Sequence, residues 1–215
     1  MMSRRNVSLA AGMAAAVALT AGALIASTAQ AAPNDTDTRA PDFTGVTATG
    51  DTVSLSDFAG QTVVLEWTND GCPFVQKHYA TPPANMQGLQ TDASESDVVW
   101  LSIVSSAPGK QGHRTGAELL DMNEGRGATP AHVIIDESGD IGRLYKAKTT
   151  PHMFVITADG EIAYQGAIDD TPSARVSDIE TSTNYVSAAL DSVAAGEPVE
   201  VASSKPYGCS VKYGS

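Results

Sequence analysis

The chain has 215 residues, of which 25 are acidic and 13 are lysine or arginine, giving a formal net charge of −12 at pH 7. Nucleic acids and anionic membranes are bound largely through lysine and arginine, so this charge balance argues against both as partners. The length is sufficient for one well-buried α/β domain but short for two. The composition therefore predicts one acidic domain, without indicating its chemistry.

The first 31 residues have the pattern of an export signal. Arg4 and Arg5 precede an alanine-rich, weakly hydrophobic stretch without acidic residues, and a small-x-small cleavage site follows. The paired arginines also resemble a twin-arginine signal, which leaves that route and the general secretory route both open. We expect residues 1–31 to be removed, residues 32–40 to form a flexible leader, and the mature protein to be periplasmic or secreted, without a membrane anchor.

Beyond the leader, strand-like and helix-like patterns alternate. Residues 62–67 and 97–105 are apolar runs typical of buried central strands. A helix is predicted to begin at Pro73, to break at Pro82 and Pro83, and to resume afterwards. The later predicted elements are a helix at 116–123, a strand at 129–136, a helical turn at 141–145, a hairpin of strands at 153–157 and 161–166, and a helix at 184–194.

This order of elements predicts an α/β fold, with a mixed central sheet that is covered by helices on both faces. We expect one domain over residues 41–196. Residues 197–215 would then form a C-terminal tail, which carries the second cysteine.

Cys72 lies between a predicted strand and a predicted helix. Pro73 suits the first helical position, because its missing N–H would have no partner there. Free backbone N–H groups and the helix dipole favour a thiolate at such a position, and the thiolate is the reactive form of cysteine. Asp70 opposes this effect, and Lys77 and His78 are candidates to offset it. The local pattern therefore predicts a reactive cysteine.

The strand, the turn, the Cys-Pro pair and the helix, with Trp67 shortly upstream, resemble the active-site region of the thioredoxin-like superfamily. The similarity is greatest to its exported peroxiredoxin-like branch, the redoxin or alkyl hydroperoxide reductase/thiol-specific antioxidant group. Residues 40–43 and 53–60 resemble the entry segment of that branch, and residues 150–156 resemble its cis-proline loop and the following strand. The resemblance covers most of the chain and implies a thioredoxin-like fold.

The motif departs from its relatives at one position. Val75 stands where a thioredoxin has the second cysteine of Cys-x-x-Cys, and where a peroxiredoxin has its peroxidatic cysteine. Peroxidase activity therefore does not carry over residue by residue. Residues 205–213, including Cys209, resemble the ending of a group of exported peroxiredoxin-like proteins that keep the first cysteine and a C-terminal one.

Cys72 and Cys209 are the two cysteines of the chain. In one interpretation they form a permanent structural disulfide, which would stabilise the fold by closing a long loop. In the other, Cys72 is the attacking thiolate and Cys209 the resolving thiol. The position of Cys72 at a helix start favours the redox interpretation, and whether Cys209 is its partner stays open. Either pairing requires the tail to return to the active-site helix.

The resemblance also implies residues that contact the substrate. An aromatic platform beside the sulfur would come from Trp67 and Phe74, although a tryptophan at a strand end is more often a core residue. Thr150 would offer a hydrogen bond, and His152 is the best candidate for an acid or base, with a solvent-facing loop histidine as the alternative. The complete set of candidate substrate-contacting residues is Trp67, Pro73, Phe74, Thr150, Pro151 and His152.

The favoured function is that of a thiol-disulfide oxidoreductase or thiol-dependent antioxidant without a cofactor. Its expected partners are a thiol reductant, such as a thioredoxin-like donor, and a disulfide or peroxide substrate. One alternative is a copper-binding protein in which His78 or His152 joins the two thiolates. If no copper is bound, we expect His78 to be a surface or packing residue, because it lies almost two helical turns beyond Cys72. The other alternative is a non-catalytic binding module with a structural disulfide.

Overall fold

The computed structural model describes residues 39–214 of the chain. The predicted export signal, residues 1–31, and all but the end of the predicted leader, residues 32–40, lie outside the described residues. Within residues 39–214, no helix combines the length and the apolar character needed to cross a bilayer.

A seven-stranded mixed sheet forms the centre of the domain. The strands of the described part are β1 (Thr44–Thr47), β2 (Thr52–Ser54), β3 (Val63–Trp67), β4 (Val99–Val104), β5 (His132–Ile135), β6 (Thr149–Thr150), β7 (His152–Ile156), β8 (Ile162–Gly166) and β9 (Cys209–Ser210). The large sheet has the order β2-β1-β5-β4-β3-β7-β8, and β6 and β9 form a separate antiparallel pair. The inner pairs β3–β4 and β4–β5 are parallel, whereas β3–β7 and β7–β8 are antiparallel. The predicted mixed sheet is confirmed.

Helices cover both faces of this sheet, as predicted. They are α1 (Pro73–Tyr79), α2 (Asn85–Glu95), α3 (Gly116–Arg126), α4 (Asp140–Leu144) and α5 (Tyr185–Ala195). Because side chains alternate along a strand, β3 sends Leu65 and Trp67 to one hydrophobic cluster and Val64 to another. The cluster of Val64 includes residues of α1, α2 and α5, whereas that of Leu65 includes Ile141 of α4.

Element boundaries differ from the predictions where a local residue decides them. The helix predicted over 116–123 continues through Gly125 to Arg126, and it ends at Gly127, whose φ of 65° suits a left-handed cap. The strand predicted over 129–136 is only His132–Ile135, because Pro130 has no N–H to give to a strand ladder. The predicted break between the two helices at Pro82 and Pro83 is confirmed.

Candidate active site

Cys72 caps the N-terminus of α1, directly after the turn that follows β3. Its backbone is extended, with φ −89° and ψ 120°, and Pro73 takes the first helical position as predicted. The turn is held by Asn69, whose side chain accepts a hydrogen bond from the N–H of Gly71 at 2.9 Å and whose carbonyl accepts one from the N–H of Cys72 at 3.0 Å. The Cys72 side chain has 0% of its surface exposed.

The C-terminal tail returns to this position. In the pair of β6 and β9, Cys209 lies opposite Thr150, and the N–H of Val211 donates to the carbonyl of Lys148 at 3.1 Å. Gly208 permits the close approach: its φ is +129°, and a Cβ there would lie 2.1 Å from the carbonyl oxygen of Thr150. The tail thus returns to the active-site helix, as any pairing of Cys72 with Cys209 requires.

The two thiols influence each other's ionisation. Burial raises the pKa of Cys72, but hydrogen bonds from the Cys209 thiol, from the N–H groups of Val75 and Cys209 and from Thr150 together bring that pKa below its ordinary value. Burial and the adjacent Cys72 sulfur raise the pKa of Cys209 to about 11. The first thiolate of the pair therefore forms on Cys72. In its thiol form, Cys72 donates to the carbonyl oxygen of Thr150 at 3.1 Å.

The charge of Asp70 is balanced by a residue other than the expected ones. Arg114 donates to one carboxylate oxygen of Asp70 through two nitrogens, at 2.5 and 3.0 Å. Lys77 and His78 were the candidates for this role, but both are buried and contact Asp169 instead. That expectation is wrong, because these two side chains leave α1 on the side that faces the core.

A buried polar cluster joins α1 to the tail. The Lys77 ammonium donates to Asp169 at 3.0 Å, the Tyr207 hydroxyl also donates to Asp169, and Nε2 of His78 lies 3.3 Å from that hydroxyl. Burial lowers the pKa of His78 to about 4, against the opposing effect of Asp169, so the ring is neutral at pH 7. His78 is thus a packing residue, one of the two roles expected for it.

The two predicted aromatic residues lie in different places. Phe74 is partly exposed, and its ring centroid lies 5.8 Å from that of Tyr207. Trp67 is 0% exposed, donates from Nε1 to Ser105 Oγ at 3.1 Å and packs against Phe154. Trp67 therefore offers no surface to a substrate in this conformation, which agrees with the core alternative stated for it.

The loop before β7 places one predicted residue at the sulfur and another away from it. Thr150 contacts Cys72, and the Thr150–Pro151 peptide bond is cis, as the resemblance implies. The His152 ring instead packs on Phe154, with centroids 4.8 Å apart, and accepts a hydrogen bond from the N–H of Lys148 at 3.3 Å. Burial lowers the pKa of His152 to about 4. Since Phe154 belongs to the cluster on the opposite face of the sheet, His152 points away from Cys72.

Glu66, a fully buried carboxylate of β3, is not among the expected site residues. Its sequence signal is a single acidic residue inside an otherwise apolar strand run. The carboxylate is satisfied entirely by side-chain donors, which are Tyr79 at 2.9 Å, Trp100 at 2.9 Å, Ser102 at 3.0 Å and Gln90 at 3.4 Å. These bonds join β3, β4, α1 and α2 beneath the active-site helix.

The described part of the chain, residues 39–214, contains no group of three or more histidine, cysteine, aspartate or glutamate side chains arranged to hold a metal ion.

Comparison with known proteins gives a family and a fold. The model of the Redoxin family matches residues 35–182. A conserved protein from Geobacillus kaustophilus, described as uncharacterised, has a crystal structure that is 24% identical, with a TM-score of 0.67 over 82% of this chain and 90% of that one. A hypothetical protein from Sinorhizobium meliloti is also 24% identical, with a TM-score of 0.62 over 83% and 94% of the two chains.

The thioredoxin domain of a thiol-disulfide oxidoreductase from Bacteroides vulgatus is 18% identical, with a TM-score of 0.48 over 66% of this chain and 94% of that domain. No curated protein matches the sequence. The family match spans most of the described domain, and the mixed sheet, Cys72 and the helix α1 all lie within it. This chain therefore belongs to the redoxin family, with a thioredoxin-like fold and a redox function of the thioredoxin-like class.

Proposed function

We propose that this protein is an exported thiol-disulfide oxidoreductase or thiol-dependent antioxidant of the peroxiredoxin-like type. Cys72 is the nucleophile and Cys209 is the resolving cysteine. The observation that carries the proposal is the placement of the two cysteines: Cys72 caps the N-terminus of α1, and the tail brings Cys209 to Thr150, the residue that contacts the Cys72 sulfur. The pKa shifts agree with it, since the pKa of Cys72 is lowered while that of Cys209 is raised to about 11. An attacking thiol needs to be ionised, whereas a resolving thiol acts only after an adduct has formed.

With a disulfide substrate, the Cys72 thiolate attacks one substrate sulfur and forms a mixed disulfide. The other substrate sulfur leaves as a thiolate and takes a proton from water. Cys209 then loses its proton and attacks the Cys72 sulfur, which forms the Cys72–Cys209 disulfide and releases the second substrate thiol. Two protein thiols are oxidised and one disulfide is reduced to two thiols. An external thiol reductant, such as a thioredoxin-like donor, reduces the protein again.

With a peroxide substrate, the Cys72 thiolate attacks one peroxide oxygen and becomes a sulfenic acid, while the second oxygen leaves and is protonated. Cys209 then displaces water from the sulfenic acid and forms the same internal disulfide. Val75 occupies the position of the peroxidatic cysteine in the resemblance, so we place a disulfide first among the substrates.

The proposed location is the periplasm or the outside of the cell, on the evidence of the signal pattern in residues 1–31. Disulfides form and persist in such compartments. A cycling pair there depends on a dedicated supply of electrons, which is why a thiol reductant is part of the proposal.

The test compares Cys72→Ser and Cys209→Ser with the unmodified mature protein, in turnover of a small disulfide or hydrogen peroxide with a dithiol reductant. Cys72→Ser is expected to abolish turnover. Cys209→Ser is expected to accumulate a mixed disulfide on Cys72, visible by intact mass. Ser210→Ala, a change at the exposed neighbour in β9, is the matched control and is expected to retain activity. Normal turnover by Cys72→Ser would refute the proposal.

A further inference from the structure

The C-terminal tail covers the sulfur that is proposed to react. We call residues 207–211 the covering segment. Cys72 is completely buried while this segment pairs with β6, and Thr150 contacts both cysteines. A substrate can reach the Cys72 sulfur only if neighbouring structure moves, and the covering segment is the part of the tail that lies beside this sulfur.

The chain is fixed on both sides of the covering segment. Upstream, the N–H of Ser204 donates to the carbonyl of Gln165 in β8 at 3.1 Å. Downstream, the carbonyl of Lys212 accepts from the N–H of Ala107 at 2.9 Å, and the Tyr213 hydroxyl donates to the carbonyl of Ala147 at 2.8 Å. The covering segment can thus lift as a short loop while its two ends remain in place.

Between these fixed points, the Tyr207 side chain connects the covering segment to the buried carboxylate of Asp169. The Tyr207 hydroxyl donates to Oδ1 of Asp169, a carboxylate with 3% of its surface exposed. Asp169 also accepts from Lys77 at 3.0 Å and from the N–H of Thr171 at 3.0 Å. Burying a charge is costly unless it is well paired and hydrogen-bonded, so Tyr207 supplies a bond that this carboxylate needs.

The same cluster is also connected to the reactive cysteine. Lys77 and His78 belong to α1, the helix that Cys72 caps, and Tyr207 stands two residues before Cys209. The ring of Phe74, also in α1, packs against Tyr207. Three residues of α1 therefore contact Tyr207, close to both cysteines.

We propose that Tyr207 and Asp169 form a latch on the covering segment, which sets the balance between access to Cys72 and resolution by Cys209. This inference rests on the proposed redox function. With the latch closed, Cys209 stays beside Cys72 and attacks a mixed disulfide there. With the latch open, the covering segment lifts and an external disulfide reaches Cys72.

The two steps of the cycle need opposite positions of the latch. Attack by Cys72 on an external disulfide requires the open position, because the sulfur is otherwise buried. Attack by Cys209 on the Cys72 sulfur requires the closed position, in which β6 and β9 are paired. A weaker latch is thus expected to speed the first step and to slow the second. Damage to the fold or to the nucleophile would not produce this pair of effects.

Tyr207→Phe tests the latch, because it keeps the ring that packs on Phe74 and removes only the hydroxyl. The first step is measured in the Cys209→Ser background, as the rate of reaction of Cys72 with an aromatic disulfide such as dithiobis(nitrobenzoate) across a pH series. At high pH, where Cys72 is fully ionised, the rate constant reaches a plateau that depends on access to the sulfur and no longer on its pKa. We expect Tyr207→Phe to raise that plateau about tenfold, as the loss of a hydrogen bond to a charged group implies.

The second step is measured with Cys209 present, as the release of the second equivalent of thionitrobenzoate. We expect Tyr207→Phe to slow this release, by at most about tenfold, since a tenfold weaker latch lowers the closed population by no more than that factor. Tyr145→Phe is the matched control: it removes a hydroxyl that donates to the carbonyl of Pro41, on the other face of the sheet, and is expected to change neither rate.

Two outcomes would overturn the latch while leaving the proposed function standing: both steps slow together in Tyr207→Phe, or neither rate changes. If Cys72 fails to react with the disulfide in every variant, the proposed nucleophile is wrong and the latch falls with it. A faster first step together with a slower second step supports the inference.

Discussion

Cys209 is the antiparallel β-partner of Thr150, the residue directly before Pro151. Thr150 also accepts a hydrogen bond from the Cys72 thiol at 3.1 Å, so one residue contacts both cysteines. The lowered pKa of Cys72 depends in part on Cys209, through its thiol and its N–H. Docking of the tail therefore brings Cys209 beside Cys72 and lowers the pKa of Cys72 at the same time.

Gly208→Val is expected to displace the tail. A Cβ at this position would lie 2.1 Å from the carbonyl oxygen of Thr150, and the φ of +129° is unfavourable for any side chain. We expect internal disulfide formation after oxidation to slow, and the Cys72 thiol of the reduced protein to become open to alkylation. Timed alkylation followed by intact mass measures both effects.

The control for that variant is Gly88→Ala, in α2. An added Cβ there meets nothing within 4 Å, and alanine favours a helix interior over glycine by about 1 kcal/mol. This variant is expected to be slightly more stable and to form the disulfide at the wild-type rate. If Gly208→Val behaved in the same way, the close contact with Thr150 would not be what positions Cys209.

Cys209→Ala is expected to raise the pKa of Cys72. The mutation removes the thiol that hydrogen-bonds to the Cys72 thiolate, and the loss of one such bond corresponds to a pKa change of about one unit. The ultraviolet absorbance of the thiolate, followed across a pH titration, gives the pKa directly. Cys209→Ser keeps a hydroxyl donor and is expected to raise it less. An unchanged or lower pKa in Cys209→Ala would contradict the pairing of the two thiols.

Two buried histidines are expected to make the fold less stable in mild acid. Burial lowers the pKa of both His78 and His152 to about 4, whereas an unfolded histidine titrates near 6.5. Between these values the unfolded chain binds more protons than the native one, so the free energy of unfolding falls as the pH drops from 6.5 to about 4. Each histidine contributes at most about 3 kcal/mol to this loss.

Urea denaturation at about pH 7 and about pH 5 measures the effect of pH on stability. His152→Gln keeps a hydrogen-bond acceptor but removes the titrating ring, and it is expected to lose less stability over this interval than the wild type. An equal loss in both proteins would show that His152 is not buried in its neutral form.

Local sequence patterns predicted the α/β architecture with its mixed sheet, and the resemblance to a known family supplied the thioredoxin-like fold. Apolar runs identified β3 and β4, and the two prolines after α1 marked the break before α2. Some errors lie at boundaries that single residues decide, such as the late ending of α3 at Gly127 and the late start of β5 after Pro130, and the short β6–β9 pair was not predicted. Such local patterns depend on neighbours in the sequence, which is why they are readable without a structure.

The surroundings of the site were less predictable, because they depend on contacts between distant segments. The position of Cys72 at a helix start follows from Pro73 beside it. The pairing of Asp169 with Lys77 and Tyr207 joins residues that are far apart in the sequence, so no local pattern predicts it. Charged residues are also expected on the surface unless something indicates otherwise. The sequence around Trp67, at the end of β3, does not indicate which face of the sheet its side chain occupies.

The most direct test of the account is the redox potential of the Cys72–Cys209 pair, measured by alkylation and intact mass after equilibration across a graded series of dithiol buffers. A cycling Cys72–Cys209 pair is expected to form one internal disulfide that can be reduced in the native protein, with a potential above about −300 mV. A disulfide that resists reduction until the protein unfolds would instead identify a structural clasp. Two thiols that remain free under oxidising conditions would equally contradict the account.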